Sequence, residues 1–206
     1  MYTTLVRLLF ITSAFHCSAL AAQSDFDVVI ANGRIMDPST GTDRIANLGV
    51  RDGRIAAIST EVLVGTKTID ATGKVVAPGF IDTHFHGTLP IHYRMALRMG
   101  VTTAMDLEFG ASGNRIDEWY AQREGSSLIN FGTSVSHELA RASVLDGVDA
   151  IDTSEAYKSR PQPNWSRAVP TAQQHEALLA IARQGLNSGA IGIGSTLGYM
   201  PGVSAD

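Results

Sequence analysis

Residues Val75-Val76-Ala77-Pro78-Gly79-Phe80-Ile81-Asp82-Thr83-His84-Phe85-His86-Gly87 constrain this chain more than any other stretch. The apolar run has the length and composition of a buried strand, and it ends in two histidines. Side chains alternate across a strand, so His84 and His86 project to one face with Asp82 behind them. Neutral imidazole is the commonest protein ligand for zinc and similar ions, and a site needs three or four such groups from separate parts of the chain. Taken alone, the pair fits half of a metal site and equally fits two surface histidines on an edge strand.

With 206 residues, 44% of them hydrophobic and 17% charged, the chain has the make-up of a globular protein with a real core. A net charge of -4 and the lack of a Lys/Arg run argue against nucleic acid or an anionic membrane as partner, and point to a small substrate. Met1 to Ala22 stands apart. Arg7 supplies a positive start, Leu8 to Phe15 is mostly apolar, and Ala19-Leu20-Ala21 resembles a cleavage site. This is the pattern of a signal peptide cut after Ala21, which implies export to the periplasm or the medium. The apolar run is too short for the roughly 18 to 20 residues of a membrane span, so no stable anchor is expected. The only cysteine, Cys17, falls in this leader. A metal site in the mature chain must then be built from His, Asp and Glu.

From 23 to 74, short apolar runs alternate with turn dipeptides. Asn32-Gly33 and Asp52-Gly53 each separate two such runs, which predicts two tight hairpins in a small antiparallel sheet with a scaffolding role. From 75 to 206, strands alternate with helices, the pattern of a parallel sheet. Pro90 suits a first helical position, with Ile91, Met95 and Met99 on one face and His92 as a capping or solvated residue. Val101 to Gly110 is the second strand of that region. Its alternation turns Thr102, Asp106 and Glu108 to one side and Val101, Met105, Leu107 and Phe109 to the other. Glu108, near the strand end, is the carboxylate best placed to join the two histidines, with Asp106 as competitor; a solvated strand end describes it as well. Asn114 is expected to cap a helix whose aromatics are core. Leu128 to His137 reads as a third strand, followed by an irregular stretch from Ser143 to Pro170 that contains Trp165. Thr171 and Gln174 form a capping box, and Gly189 to Gly194 begins a fourth strand.

Four of these segments carry a resemblance. Pro78-Gly79 with the strand up to Asp82-Thr83-His84-Phe85-His86 resembles the first barrel strand of the amidohydrolase superfamily. Gly100-Val101-Thr102-Thr103 resembles the second strand of its N-acyl-D-amino-acid deacylases, the D-aminoacylase branch. Val135-Ser136-His137 is similar to a Val-Gly-His segment of the same enzymes, and Gly189-Ala190-Ile191-Gly192 with Tyr199-Met200-Pro201-Gly202 to their Gly-Ala-x-Gly and Tyr-x-Pro-Gly segments.

The resemblance implies an α/β fold: a partial (β/α)8 TIM-type barrel of about four units, preceded by the antiparallel sheet. It implies a divalent metal, zinc foremost, held by His84 and His86. Many of these deacylases supply a cysteine from the second strand where this chain has Phe109, so the ligand passes to the adjacent Glu108. Tyr199 and His137 become candidate substrate contacts; an aromatic packed on a glycine-rich strand and a structural histidine are the alternatives. The implied activity is metal-dependent hydrolysis of an amide carbon–nitrogen bond. A cyclic amide or a dipeptide as substrate, or an exported non-catalytic fragment, are the other readings. In the superfamily two further histidines and the general-base aspartate come from strands five, six and eight, so the resemblance equates this chain with an amino-terminal half and leaves its general base unidentified. A half barrel exposes strand edges and apolar faces, and self-association is expected of it.

Overall fold

The computed structural model describes residues 25–152 and 164–198, which divide into two compact units meeting in sequence at Pro78 and Gly79. The leader expected at Met1 to Ala22 lies outside the described residues.

The first unit is a sheet of β1 (Phe26–Asp37), β2 (Thr42–Arg51), β3 (Arg54–Ser59), β4 (Gly65–Asp70) and β5 (Val75–Val76), in the order β3-β2-β1-β4 with β5 also on β1. The β1, β2 and β3 strands are antiparallel, whereas β4 and β5 run parallel to β1, so the sheet is mixed. With β3 already on β2, the open flank of β1 is what remains for the following strands. The hairpin at Asp52-Gly53 forms as its residues require, with φ of 51° and 69°. The one expected at Asn32-Gly33 does not. Asn32 does take a positive φ of 60°, but as part of an irregularity inside the continuous β1, where its N–H donates to Asn47 Oδ1 at 2.9 Å. The chain reverses instead after Asp37, whose carboxylate accepts from the Ser39 N–H and from the hydroxyls of Ser39 and Thr40. Ile35, Ala46 and Leu48 form the buried centre of this unit.

The second unit contains β6 (Phe80–Asp82), α1 (Pro90–Arg98), β7 (Val101–Ala111), α2 (Ile116–Ala121), β8 (Asn130–Ser136), α3 (His137–Asp146), α4 (Ala172–Asn187) and β9 (Ile193–Gly194). Its strands lie in sequence order, β6-β7-β8-β9, every pair parallel. Strand, helix, parallel neighbour is the repeating unit of a (β/α) barrel, and it gathers the carboxyl ends of the strands on one face. The stretch from Val75 to Gly87 is thus two strands in two sheets, broken at Pro78-Gly79. Phe80 and Ile81 are 66% and 64% exposed, so the expected buried strand is an exposed one. The cause is position: among the described residues, β6 pairs with β7 alone.

Packing also departs from the helix patterns. In α1 the buried residues are Tyr93 and Ala96, while Ile91, Met95 and Met99 face outward. Tyr93 and Ala96 close on Ala104 and Ile129, and the Tyr93 hydroxyl donates to Gly87 O at 3.0 Å while accepting from Arg123 Nε at 2.9 Å. Turning the Ile/Met face inward would break that buried chain of hydrogen bonds. Asn114 lies in a 3-10 turn before α2 and bonds Ser112, so it is not the cap. Ile116 and Trp119 are core, as expected. The α3 helix runs through part of the stretch expected to be irregular. Ser136 Oγ accepts from the Leu139 N–H at its start, and Gly147 in the left-handed conformation ends it. Buried Arg141 in α3 donates to the carbonyls of Trp165 and Ala168, which ties residues 164–168 to the helix and buries Trp165. The capping box of α4 forms between Thr171 and Gln174.

Candidate metal centre

The site is built where β6 and β7 end. Beyond Asp82 the chain leaves the sheet with the His84 N–H donating to Asp82 Oδ1 at 3.0 Å, and the Phe85 N–H donates to Met105 O at 3.0 Å. These bonds hold the two histidines across the end of β7. The β7 strand is itself irregular there: Asp106 pairs with Thr133 and Ala111 with Val135, so five residues of β7 span what two steps of β8 span. Residues 107–110 therefore bulge from the ladder. Asp106 Oδ1 closes the bulge by accepting from the N–H groups of Phe109 (3.2 Å) and Gly110 (3.0 Å). The bulge carries Glu108 toward the histidines, and it carries Phe109 there too: the Phe109 ring meets the His86 ring edge-on at 6.3 Å. The alternation read from the sequence sends Phe109 to the opposite side. Alternation holds for a regular strand, and the ladder is broken here.

Glu108 Oε2 lies 2.8 Å from His84 Nε2 and 3.1 Å from His86 Nε2. One ligand atom from each of the three residues falls within 4.8 Å of the others. Among the described residues, this is the cluster of His, Cys, Asp and Glu side chains with that geometry. A tetrahedral ion bound at roughly 2.0–2.1 Å spaces its donors by about 3.4 Å. The two distances to Glu108 Oε2, 2.8 and 3.1 Å, are near that spacing and all three donors fall within 4.8 Å, and their chemistry suits a borderline cation such as zinc. The residues present therefore fit a divalent ion. Asp106 does not join the ligand atoms. Its Oδ1 sits 3.2 Å from His86 Nδ1, the nitrogen turned away from Glu108. The side chains of His84 and His86 are 58% and 41% exposed, against 22% for Glu108 and 12% for Asp106, so an ion would be approached from the histidine side. Beside His86 a cavity of about 430 Å³ is lined by Asp82, Phe85, His92, Met95 and Met99 among others.

The remaining candidates fall elsewhere. His92 caps α1: its Nδ1 accepts from the N–H groups of Thr88 and Leu89. His137 begins α3, half-buried, with Nδ1 3.3 Å from Ser195 Oγ. Burial, and then the Arg141 guanidinium, hold its imidazolium below the ordinary range. It lines a second cavity of about 470 Å³ with Val135, Arg141, Leu178 and Ile193. No bond joins it to the histidine and glutamate cluster. Tyr199 lies outside the described residues. Sequence reasoning passed over the part Asp106 plays. Its place two residues before Glu108, on the same side of the strand, was the available signal.

No protein-family profile matches the chain. It is 30% identical over 217 residues to the D-aminoacylase of Alcaligenes xylosoxydans xylosoxydans, which covers 89% of this chain and 41% of that enzyme. A shorter match, 50% identical over 60 residues, covers 29% of this chain and 14% of the dihydroorotase of Streptococcus pneumoniae serotype 4. Among solved structures, a D-aminoacylase described as defining a novel subset of amidohydrolases superposes with a TM-score of 0.70 at 28% identity, over 88% of this chain and 40% of that one. The N-acyl-D-glutamate deacylase of Bordetella bronchiseptica, complexed with zinc and a phosphonate mimic of the tetrahedral intermediate, gives 0.65 at 26% identity, over 88% and 40%. The chain thus spans about two-fifths of the length of the deacylases it matches.

Proposed function

We propose, from its similarity to D-aminoacylase along 89% of its length, that this chain belongs to that branch of the amidohydrolase superfamily and forms part of a metal-dependent hydrolase of amide bonds acting on N-acyl-D-amino acids. The observation that carries the reading is the convergence of His84, His86 and Glu108, with a ligand atom of each within 4.8 Å of the others and Glu108 Oε2 2.8 and 3.1 Å from the two Nε2 atoms, at the carboxyl-end side of parallel strands, where barrel enzymes keep their chemistry. These three residues are the proposed ligands of a divalent ion, zinc foremost. When bound, such an ion supplies a hydroxide at neutral pH and polarises the amide carbonyl. Glu108 brings a negative charge that offsets the cation, and the exposed rims of His84 and His86 leave the substrate an open approach. His137 and Tyr199 are proposed substrate contacts.

The test is zinc retention by the full chain before and after His84→Ala with His86→Ala. Retention is expected in the parent and lost in the double variant; equal retention in both refutes the ligand set. Hydrolysis of N-acyl-D-amino acids, hydantoins and dipeptides by the loaded protein then separates substrate classes. The dihydroorotase match favours a cyclic amide as the second reading, and a preference for hydantoins would establish it. Export behind the leader at Met1 to Ala22 belongs to the same proposal and is checked by sequencing the amino terminus of the secreted protein. Self-association is proposed as well, because Ile91, Met95 and Met99 present an exposed apolar face; a concentration-independent sedimentation coefficient would refute it.

A further inference from the structure

One carboxylate oxygen in this site does three things. Asp106 Oδ1 accepts from the N–H groups of Phe109 and Gly110, at 3.2 and 3.0 Å, and lies 3.2 Å from His86 Nδ1. The first two bonds close the bulge that offers Glu108. The third faces the far nitrogen of a histidine whose Nε2 is already in the ligand cluster. A neutral imidazole has one N–H and one lone pair. Both ring nitrogens of His86 face a carboxylate, Nδ1 that of Asp106 and Nε2 that of Glu108; once a cation stands between Nε2 and Glu108, the carboxylate at Nδ1 holds the ring proton and the Nε2 lone pair faces the cation.

We infer that Asp106 is the positioning residue of the metal centre: through a single carboxylate it selects the His86 tautomer that ligates through Nε2 and sets the bulge that delivers Glu108. The inference rests on the metal-binding reading above. Asp106 is not in the cluster of converging ligand atoms, and its Oδ1 is occupied by the bulge and by Nδ1. Its side chain is 12% exposed, which shields those contacts from competing water. The geometry gives its two duties different chemical demands. Closing the bulge needs only an acceptor at Oδ1, which an amide also provides. Holding the proton on Nδ1 opposite a cation draws on the negative charge, which an amide lacks.

That difference supplies the test. The full chain, Asp106→Asn and Asp106→Ala are compared for zinc affinity, by competition with a chromophoric chelator, and for hydrogen exchange at the Phe109 and Gly110 amides. Asp106→Asn is expected to keep both amides protected while zinc affinity falls by roughly 10- to 100-fold, the usual loss when a partner of a ligating histidine is changed. Asp106→Ala is expected to lose amide protection as well as affinity. Zinc bound by Asp106→Asn as tightly as by the parent overturns the inference and leaves the ligand assignment standing. Zinc bound by neither the parent nor the variants removes the ligand assignment itself, and this inference with it. Loss of affinity in Asp106→Asn together with loss of amide protection also overturns it, because the carboxylate would then act only by shaping the loop.

Discussion

Adding one methyl group at Gly194 should disturb both the fold and the metal centre. A Cβ there would lie against Ser134 Oγ, 2.5 Å from Glu108 O and 2.6 Å from Leu107 O. A comfortable carbon–oxygen contact needs about 3.3 Å, so the strands must part by roughly 0.8 Å. Ser134 is able to rotate, but its hydroxyl donates to Leu107 O at 3.1 Å and that bond would be lost. The other two obstacles are backbone carbonyls and have no rotamer to change. Either β9 withdraws and weakens its ladder to Val135 and Ser136, or the bulge retreats and takes Glu108 with it. Overpacking of this kind costs about 1–3 kcal/mol, which for a unit of this size is a fall in melting temperature of roughly 3–10 °C. Gly192, two residues earlier, has open space where its Cβ would be, so Gly192→Ala should stay within about 0.5 kcal/mol of the parent. Calorimetry on both variants, with zinc competition alongside, reads the result. If Gly194→Ala melts with Gly192→Ala and binds zinc like the parent, the close approach of β9 to the bulge is wrong.

Two further outcomes test the frame around the site. In α4, Thr171 Oγ1 accepts from the Gln174 N–H and Gln174 Oε1 accepts from the Thr171 N–H; Thr171→Ala should cost about 1 kcal/mol in urea unfolding while Thr171→Ser is nearly silent, and equal stability of all three proteins would discount the cap. Burial, and then Arg141, lower the His137 pKa from its ordinary 6.5, so as pH falls through that value the unfolded chain takes up the proton first and stability declines until the folded value is reached. His137→Gln should flatten that part of the curve of urea midpoint against pH and leave the region above it unchanged; superimposable curves would refute the burial argument.

What the sequence discloses depends on whether a signal is settled locally. Asp52-Gly53 and the Thr171 capping box are decided within four residues, and both form as read. Asn32-Gly33 carries the same local signal as Asp52-Gly53 and does take a positive φ, yet the strand continues through it because Asn47, fifteen residues away, takes up the Asn32 N–H. Positive φ at Asn and Gly is a property of the dipeptide, while turning back is a property of the sheet around it. The α1 face went astray in a similar way. Apolar spacing selects Ile91, Met95 and Met99, but the face that packs is the one whose Tyr93 meets Gly87 and Arg123, partners the helix pattern does not contain. The site shows both cases at once. His84 and His86 are legible as a pair, although they lie beyond the end of β6 and are brought together by the Asp82 and Met105 bonds instead of by strand alternation, whereas Glu108 comes to them through a break in the ladder. That break is held by Asp106, a residue whose contacts run to Phe109, Gly110 and His86 together. Strict alternation places Glu108 near the histidines for an incomplete reason, and it places Phe109 on the wrong side, so the position of Phe109 is what distinguishes a bulged β7 from a regular one.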